Sequence, residues 1–291
     1  MANVAEDSEW TVWTAETHSR RVRAALRALG MGWSDLKAAR GLGWELFRRD
    51  FSARYRESYL GYMWAILPSL GVAVVLTLAS RGGIVNTGAT GIPYPVVVLA
   101  GTSLWQTFSE ALLGPVQGIN QAKPLLAKVR FPYEAILLAK LWECGLNVAI
   151  RAVLVAGAMI AYQIPVTAAL LLVPIGIAAL IVLGTALGLL LSPLAGLYND
   201  VTQGMALGIG FWMFLTPVVY LAANPGSMVA WANQFNPVTP LLVSSRGWLL
   251  GTEWSDPVGF GVVVSVSAVL LVLAWQVWRF AMTFVVERAG S

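Results

Sequence analysis

Lys140, Glu143, Asn147 and Arg151 recur at spacings of three and four inside an otherwise apolar run, so on a helix they form one polar stripe. Ionisable groups at the centre of a bilayer cost about 2.5–3.5 kcal/mol each, so they must face protein or water. Two uses follow. The stripe could line a hydrated path for a polar solute, or Glu143 and Arg151 could form an intrahelical network that holds a bundle together while Lys140 snorkels to the cytoplasmic surface. A second group is Arg48, Arg49, Arg54 and Arg56, set among Trp44, Phe47, Phe51, Tyr55 and Tyr59, whose rings share one helical face. That is the pattern of a helix lying in the membrane interface. Its guanidinium groups suit an anionic lipid headgroup.

Aromatic rings are the third resource. The chain has 13 tryptophans, and interface belts account for some of them. Rings also cover the C–H face of a sugar without fixing its hydroxyls, so Tyr59, Tyr62, Trp64, Phe211, Trp212, Phe214 and Tyr220 are candidates to line a conduit for a glycan. Anchoring and helix packing are the other uses open to them. Nothing in the sequence points to catalysis. Asp200 stands alone near its loop, Glu253 and Asp256 fall outside, and paired carboxylates for general base work or a metal are lacking. The one cysteine, Cys144, sits in an apolar run as a small hydrophobe, His18 is isolated, and no Cys/His spacing fits zinc. Without a Gly-x-x-x-x-Gly-Lys-Ser/Thr loop, the chain has no evident means of binding ATP itself.

The elements that must position these groups are membrane helices. Of 291 residues, 57% are hydrophobic and 12% charged. Ordinary soluble domains run near 45–50% and about 25%. A polar arm over 1–40 lacks the basic start and apolar centre of a signal peptide, and its N-terminus is expected in the cytoplasm. A membrane domain over 41–284 and a tail over 285–291 follow. Stretches of about 20 apolar residues place spans near 62–80, 95–113, 135–162, 166–192, 203–221 and 257–278, with a tight turn at Gln163-Ile164-Pro165. Pro217 is expected to kink the fifth span. Pieces around Met228–Trp231 and Val238–Leu250 are too short to cross and read as re-entrant segments. Ten basic residues precede the first span, and Lys123, Lys128, Arg130, Lys140, Arg279 and Arg288 fall on the same side; only Arg81 and Arg246 oppose them. The positive-inside rule then puts both termini in the cytoplasm. The expected fold is an all-α membrane protein of six transmembrane helices, with an N-terminal amphipathic interfacial helix and re-entrant outer helices between spans five and six.

This order of elements resembles the membrane subunit of type-two ATP-binding-cassette exporters. Arg49-Asp50, Arg54-Tyr55-Arg56, Ser58, Leu60-Gly61, Trp64 and Pro68 resemble the opening of the branch that exports O-antigen, teichoic acid, capsule or galactan chains. Gly101 with Trp105 and Phe108, Lys128 to Pro132, Asn199-Asp200-Val201, Thr216 to Tyr220 and Asn236-Pro237 follow in the family's order. Where the family reads Arg-Asp before the fifth span, this chain has Asn199-Asp200. The Ala-, Gly- and Val-rich composition and long arm resemble actinobacterial cell-wall galactan exporters. The resemblance implies two copies forming a conduit in the bacterial cytoplasmic membrane and two copies of a separate ATPase holding ATP and Mg. It implies no cofactor or nucleic acid for this chain. The cargo would be a polyprenyl-pyrophosphate-linked polysaccharide. The ATPase is expected to dock on Lys123, Leu125, Leu126, Lys128, Arg130 and Phe131, with Pro124 and Pro132 bracketing a short amphipathic helix. A membrane enzyme acting on a polyprenyl-linked glycan is the alternative, disfavoured for lack of paired acidic groups.

Overall fold

A computed structural model describes residues 36–53, 63–81, 92–126, 131–220, 228–252 and 256–289, and among them every regular element is helical. Helix α1 covers 36–53. It is followed by α2 (Met63–Arg81), α3 (Tyr94–Leu126), α4 (Glu134–Ala161), a 3-10 turn (Ala168–Leu172) and α5 (Val173–Leu197). Then come α6 (Asn199–Leu215), α7 (Met228–Phe235), α8 (Val238–Leu250) and α9 (Pro257–Ala289). Four helical segments are long and apolar enough to cross a bilayer: Tyr94–Leu126, Glu134–Ala161, Ala168–Leu197 and Pro257–Met282. Ile66–Ala79 in α2 and the 17 residues of α6 are shorter.

Helix α3 is the axis of the bundle, with α5, α4, α2, α8 and α6 packed around it. Its face from Val96 to Ser109 is almost wholly buried. Close approach depends on small residues, because apolar side chains gain little by leaving lipid and tight packing must supply the attraction. Gly184 and Gly188 lie one turn apart on α5, and a Cβ on either would collide with the α3 backbone at Phe108 or Leu112. Gly101 does the same for the segment after α6, where a Cβ would overlap the Val218 carbonyl. Helix α1 docks through Ala39, Gly43 and Leu46 on Ala135, Leu138 and Ala139 at the start of α4.

Several boundaries differ from the sequence expectation for physical reasons. Pro217 does not kink a helix; α6 ends at Leu215, and Thr216 is extended, as a residue before proline prefers. Nor does Pro124 open a new helix. It lies within α3, whose last residue Leu126 is 5% exposed and packs on Ile119 and Ile136. That lateral packing offsets the hydrogen bond lost at a proline. The turn between α4 and the 3-10 segment falls where expected, with Gln163 in the left-handed region at φ 54° and the Ile164 N–H donating to the Met159 carbonyl at 2.9 Å.

Gly188→Val should therefore push α5 off α3. Overpacking of this kind costs about 1–3 kcal/mol. The expected result is a lower melting temperature in detergent, whereas Gly145→Val, where a Cβ meets open space, should leave it unchanged apart from helix propensity.

Candidate functional site

The polar stripe on α4 finds its partner on α3. Arg151, 2% exposed at its side chain, donates from Nη1 and Nη2 to the two carboxylate oxygens of Glu110 at 2.5 and 2.9 Å. Asn147 adds a bond to the same carboxylate at 3.2 Å, and Thr107 lies 3.5 Å from Nη2. This bidentate, interhelical pair corrects the expectation of a network contained within α4. Lys140 does not snorkel. It is buried and reaches Glu143 one turn on, at 3.0 Å. Sequence reasoning passed over Glu110, the acidic residue within its second span. The signal was there: a lone carboxylate in an apolar helix needs a cation, and Arg151 stands in the next one.

Helix α6 and the segment after it form a second polar centre. Trp212 Nε1 donates to Asn236 Oδ1 at 3.2 Å, Asn236 Nδ2 donates to Thr216 Oγ1 at 2.8 Å, and the Val238 N–H at the start of α8 donates to the same Oδ1 at 3.1 Å. Arg246 on α8 donates Nη1 to the carbonyls of Pro217, Val218 and Tyr220 at 2.7, 3.2 and 3.3 Å. Tyr94 Oη donates to the Val219 carbonyl at 3.1 Å. Irregular backbone inside a membrane protein needs such partners, because lipid supplies none. Thus the Thr216–Tyr220 and Asn236-Pro237 motifs, far apart in sequence, belong to one hydrogen-bonded unit. Arg246, noted in the sequence only as a charge on the minority side, is its keystone.

The aromatic candidates separate. Trp212 turns inward, making edge contacts with Trp105 and Phe108 at 6.3 and 5.3 Å between ring centroids. Phe211 and Phe214 are 72% and 67% exposed on the outer face of α6. Tyr220 exchanges hydrogen bonds with Asn233 of α7. Tyr59 and Tyr62 lie outside the described residues, as does the side chain of Trp64. In α1, Arg48 and Arg49 are exposed, with Arg49 paired to Asp50 at 2.8 Å, while Arg54 and Arg56 lie outside the described residues. Trp44, Phe47 and Phe51 form a run of ring contacts, and Trp44 also meets Trp142 of α4 edge-on at 5.5 Å.

Among the expected docking residues, Lys123 and Leu125 are partly exposed near the end of α3, while Leu126 points into the bundle. Phe131 is half-buried and touches two clusters, one with α1 and one with α9. Lys128 and Arg130 lie outside the described residues. Just beyond Phe131, the buried Glu134 carboxylate pairs with Arg279 of α9 at 3.0 Å, and the Arg279 guanidinium lies over the Trp275 ring at 5.9 Å.

The described residues thus form a helical bundle with charge pairs between long apolar helices, a hydrogen-bonded turn after α6 and short helices before α9. The chain belongs to the ABC-2 type transporter family, whose model matches residues 42–250. It is 27% identical over 255 residues to the O-antigen export system permease protein RfbA of Myxococcus xanthus, covering 84% of this chain and 94% of that protein. A protein of the same description from Klebsiella pneumoniae is 22% identical over 203 residues, 68% of this chain and 76% of its own length. The chain is accordingly a permease subunit, with ATP hydrolysis in a separate chain.

Breaking a buried pair by removing one partner typically costs about 3–5 kcal/mol. Glu110 is 28% exposed, so Arg151→Leu should fall at or below the low end of that range. Melting in lipid nanodiscs should show Arg151→Leu well below the parent protein, with the Glu110→Leu/Arg151→Leu double variant recovering part of the loss. Additive losses would show that the two side chains do not act together.

Proposed function

We propose that this chain is the membrane half of an ATP-driven exporter that moves a polyprenyl-pyrophosphate-linked polysaccharide out across the bacterial cytoplasmic membrane. Two copies would enclose the conduit and two ATPase subunits would bind beneath. The observation that carries the reading is the family match over most of the membrane domain, together with relatives described as O-antigen export permeases over most of their own length. The sequence has no phosphate loop, so the energy must come from a partner.

In this reading α2 and α6 complete a set of six crossings, α7 and α8 are the outer re-entrant pair, and both termini are cytoplasmic. The charge distribution supports that orientation, since Arg48, Arg49, Lys123 and Arg279 gather at one end of the bundle. The exposed guanidinium groups of Arg48 and Arg49 would meet the pyrophosphate as it arrives from the inner leaflet. Docking of the ATPase falls on the segment from Lys123 to Phe131. Phe131 contacts both α1 and α9, and Glu134 next to it is paired with Arg279, so force applied there would reach the first and last helices of the bundle.

Affinity purification of the full chain from its native membrane in mild detergent should bring down a stoichiometric ATPase whose turnover responds to lipid-linked glycan. Lys123→Glu with Leu125→Glu, both on the partly exposed end of α3, should reduce co-purification several-fold without lowering the melting temperature. A chain that purifies alone, with no ATP-coupled behaviour, would overturn the exporter reading.

A further inference from the structure

Leu99, Thr102, Gln106, Glu110, Gln117 and Gln121 recur along α3 at helical spacing and so share one face of it. That face changes character along its length. Every residue from Val96 to Trp105 is buried, and Leu99 belongs to the cluster that Ala73 and Leu76 of α2 join. From Gln106 onward the face opens: Gln106 and Glu110 are partly exposed, and Gln117 and Gln121 are exposed. The neighbouring faces stay packed over the same length. Gly114 and Gly118 lie against Lys140 of α4, and Asn120 Nδ2 donates to Thr202 Oγ1 of α6 at 3.0 Å. The open row therefore runs between α4 and α6.

Its upper part lies deep. Gln106 is twelve residues past Tyr94, about 18 Å along the axis of a helix that crosses a hydrocarbon core of about 30 Å. The Gln106 amide is accessible and has no hydrogen-bond partner among the described residues. The Glu110 carboxylate keeps an open edge, 28% exposed, although Arg151 behind it is buried. Lipid tails offer such groups nothing, so at this depth they face water. The outward face of α4 shows the contrast, since at a similar level it exposes Val153 and further on Ile160. We propose that the α3 face from Gln106 to Gln121 is one wall of a water-filled cleft, open at the Lys123 end of the bundle and closed at the layer of Leu99 and Thr102. The inference goes beyond the exporter reading: it places solvent inside the bundle and requires only that α3 and α4 span the membrane.

The test uses the full chain with Cys144→Ala, so that each added cysteine is the only thiol. The protein is placed in sealed vesicles and treated with a membrane-impermeant sulfonated methanethiosulfonate. Thiols react as thiolates, and an apolar surround that raises the thiol pKa by about one unit slows labelling about tenfold. Reagent on the side that labels Gln121→Cys should modify Gln106→Cys at least about tenfold faster than Val153→Cys, whose position is 74% exposed on α4. Reagent on the opposite side should leave Gln106→Cys unmodified. If Gln106→Cys melts well below the parent protein, Leu113→Cys, partly exposed on the same face, takes its place with the same expected contrast. Equal rates at 106 and 153 would overturn the cleft, and rapid labelling from the opposite side would overturn its closed end. Neither readout involves the ATPase, so the exporter reading stands or falls separately.

Discussion

The approach of Gly184 and Gly188 to the backbone of α3 sets the spacing on which the rest of the bundle depends. With Cβ atoms absent at those positions, α5 lies against the Phe108 and Leu112 carbonyls, and the walls on either side can then close. Helix α9 packs on α5, and α8 fits against both α3 and α5. Gly176 plays the same part against α8, where a side chain would strike Ser245. Because lipid tails are as apolar as leucine, hydrophobicity could not have selected this arrangement among alternatives. Shape does so, supplemented by the bidentate bond between Arg151 and Glu110 across α3 and α4.

Polar side chains serve mainly to satisfy backbone and buried charge. Arg246 and Tyr94 absorb the carbonyls released where α6 ends, and Asn236 divides its amide between Trp212, Thr216 and the first turn of α8. These bonds let an irregular segment exist beside the tightly packed Gly101. They also join α6 to α7 and α8, so neither short helix can shift without disturbing the end of α6. The stretch from Thr216 to Tyr220 is therefore better described as a fixed joint than as a flexible hinge.

Much of this architecture was legible in the residues. The start of α3, the extent of α4, the turn at Gln163 to Pro165 and the limits of α8 all follow from apolar length and turn chemistry, which are local properties, whereas the run of α3 beyond 113 to Leu126 does not. Pro217 was misread because a proline can end a helix as readily as bend it, and the deciding factor was Arg246, distant in sequence, waiting to take the free carbonyls. Leu126 and Pro124 were read as a separate surface helix because the packing that extends α3 through them comes from α4 and α9. Glu110 was missed since span counting weighs average hydropathy and discounts a single acid. The site residues in α1 and α6 were recognisable as types, but which ring faces inward, as Trp212 does, depends on neighbours that periodicity alone does not name.

The Glu134–Arg279 pair also bears on biogenesis. Synthesis proceeds from the N-terminus, so α4 is inserted long before Arg279 leaves the ribosome. Until then the Glu134 carboxylate has no cation from α9. Arrival of the last helix supplies Arg279 at 3.0 Å. A chain interrupted before α9 would therefore leave the Glu134 carboxylate without that partner.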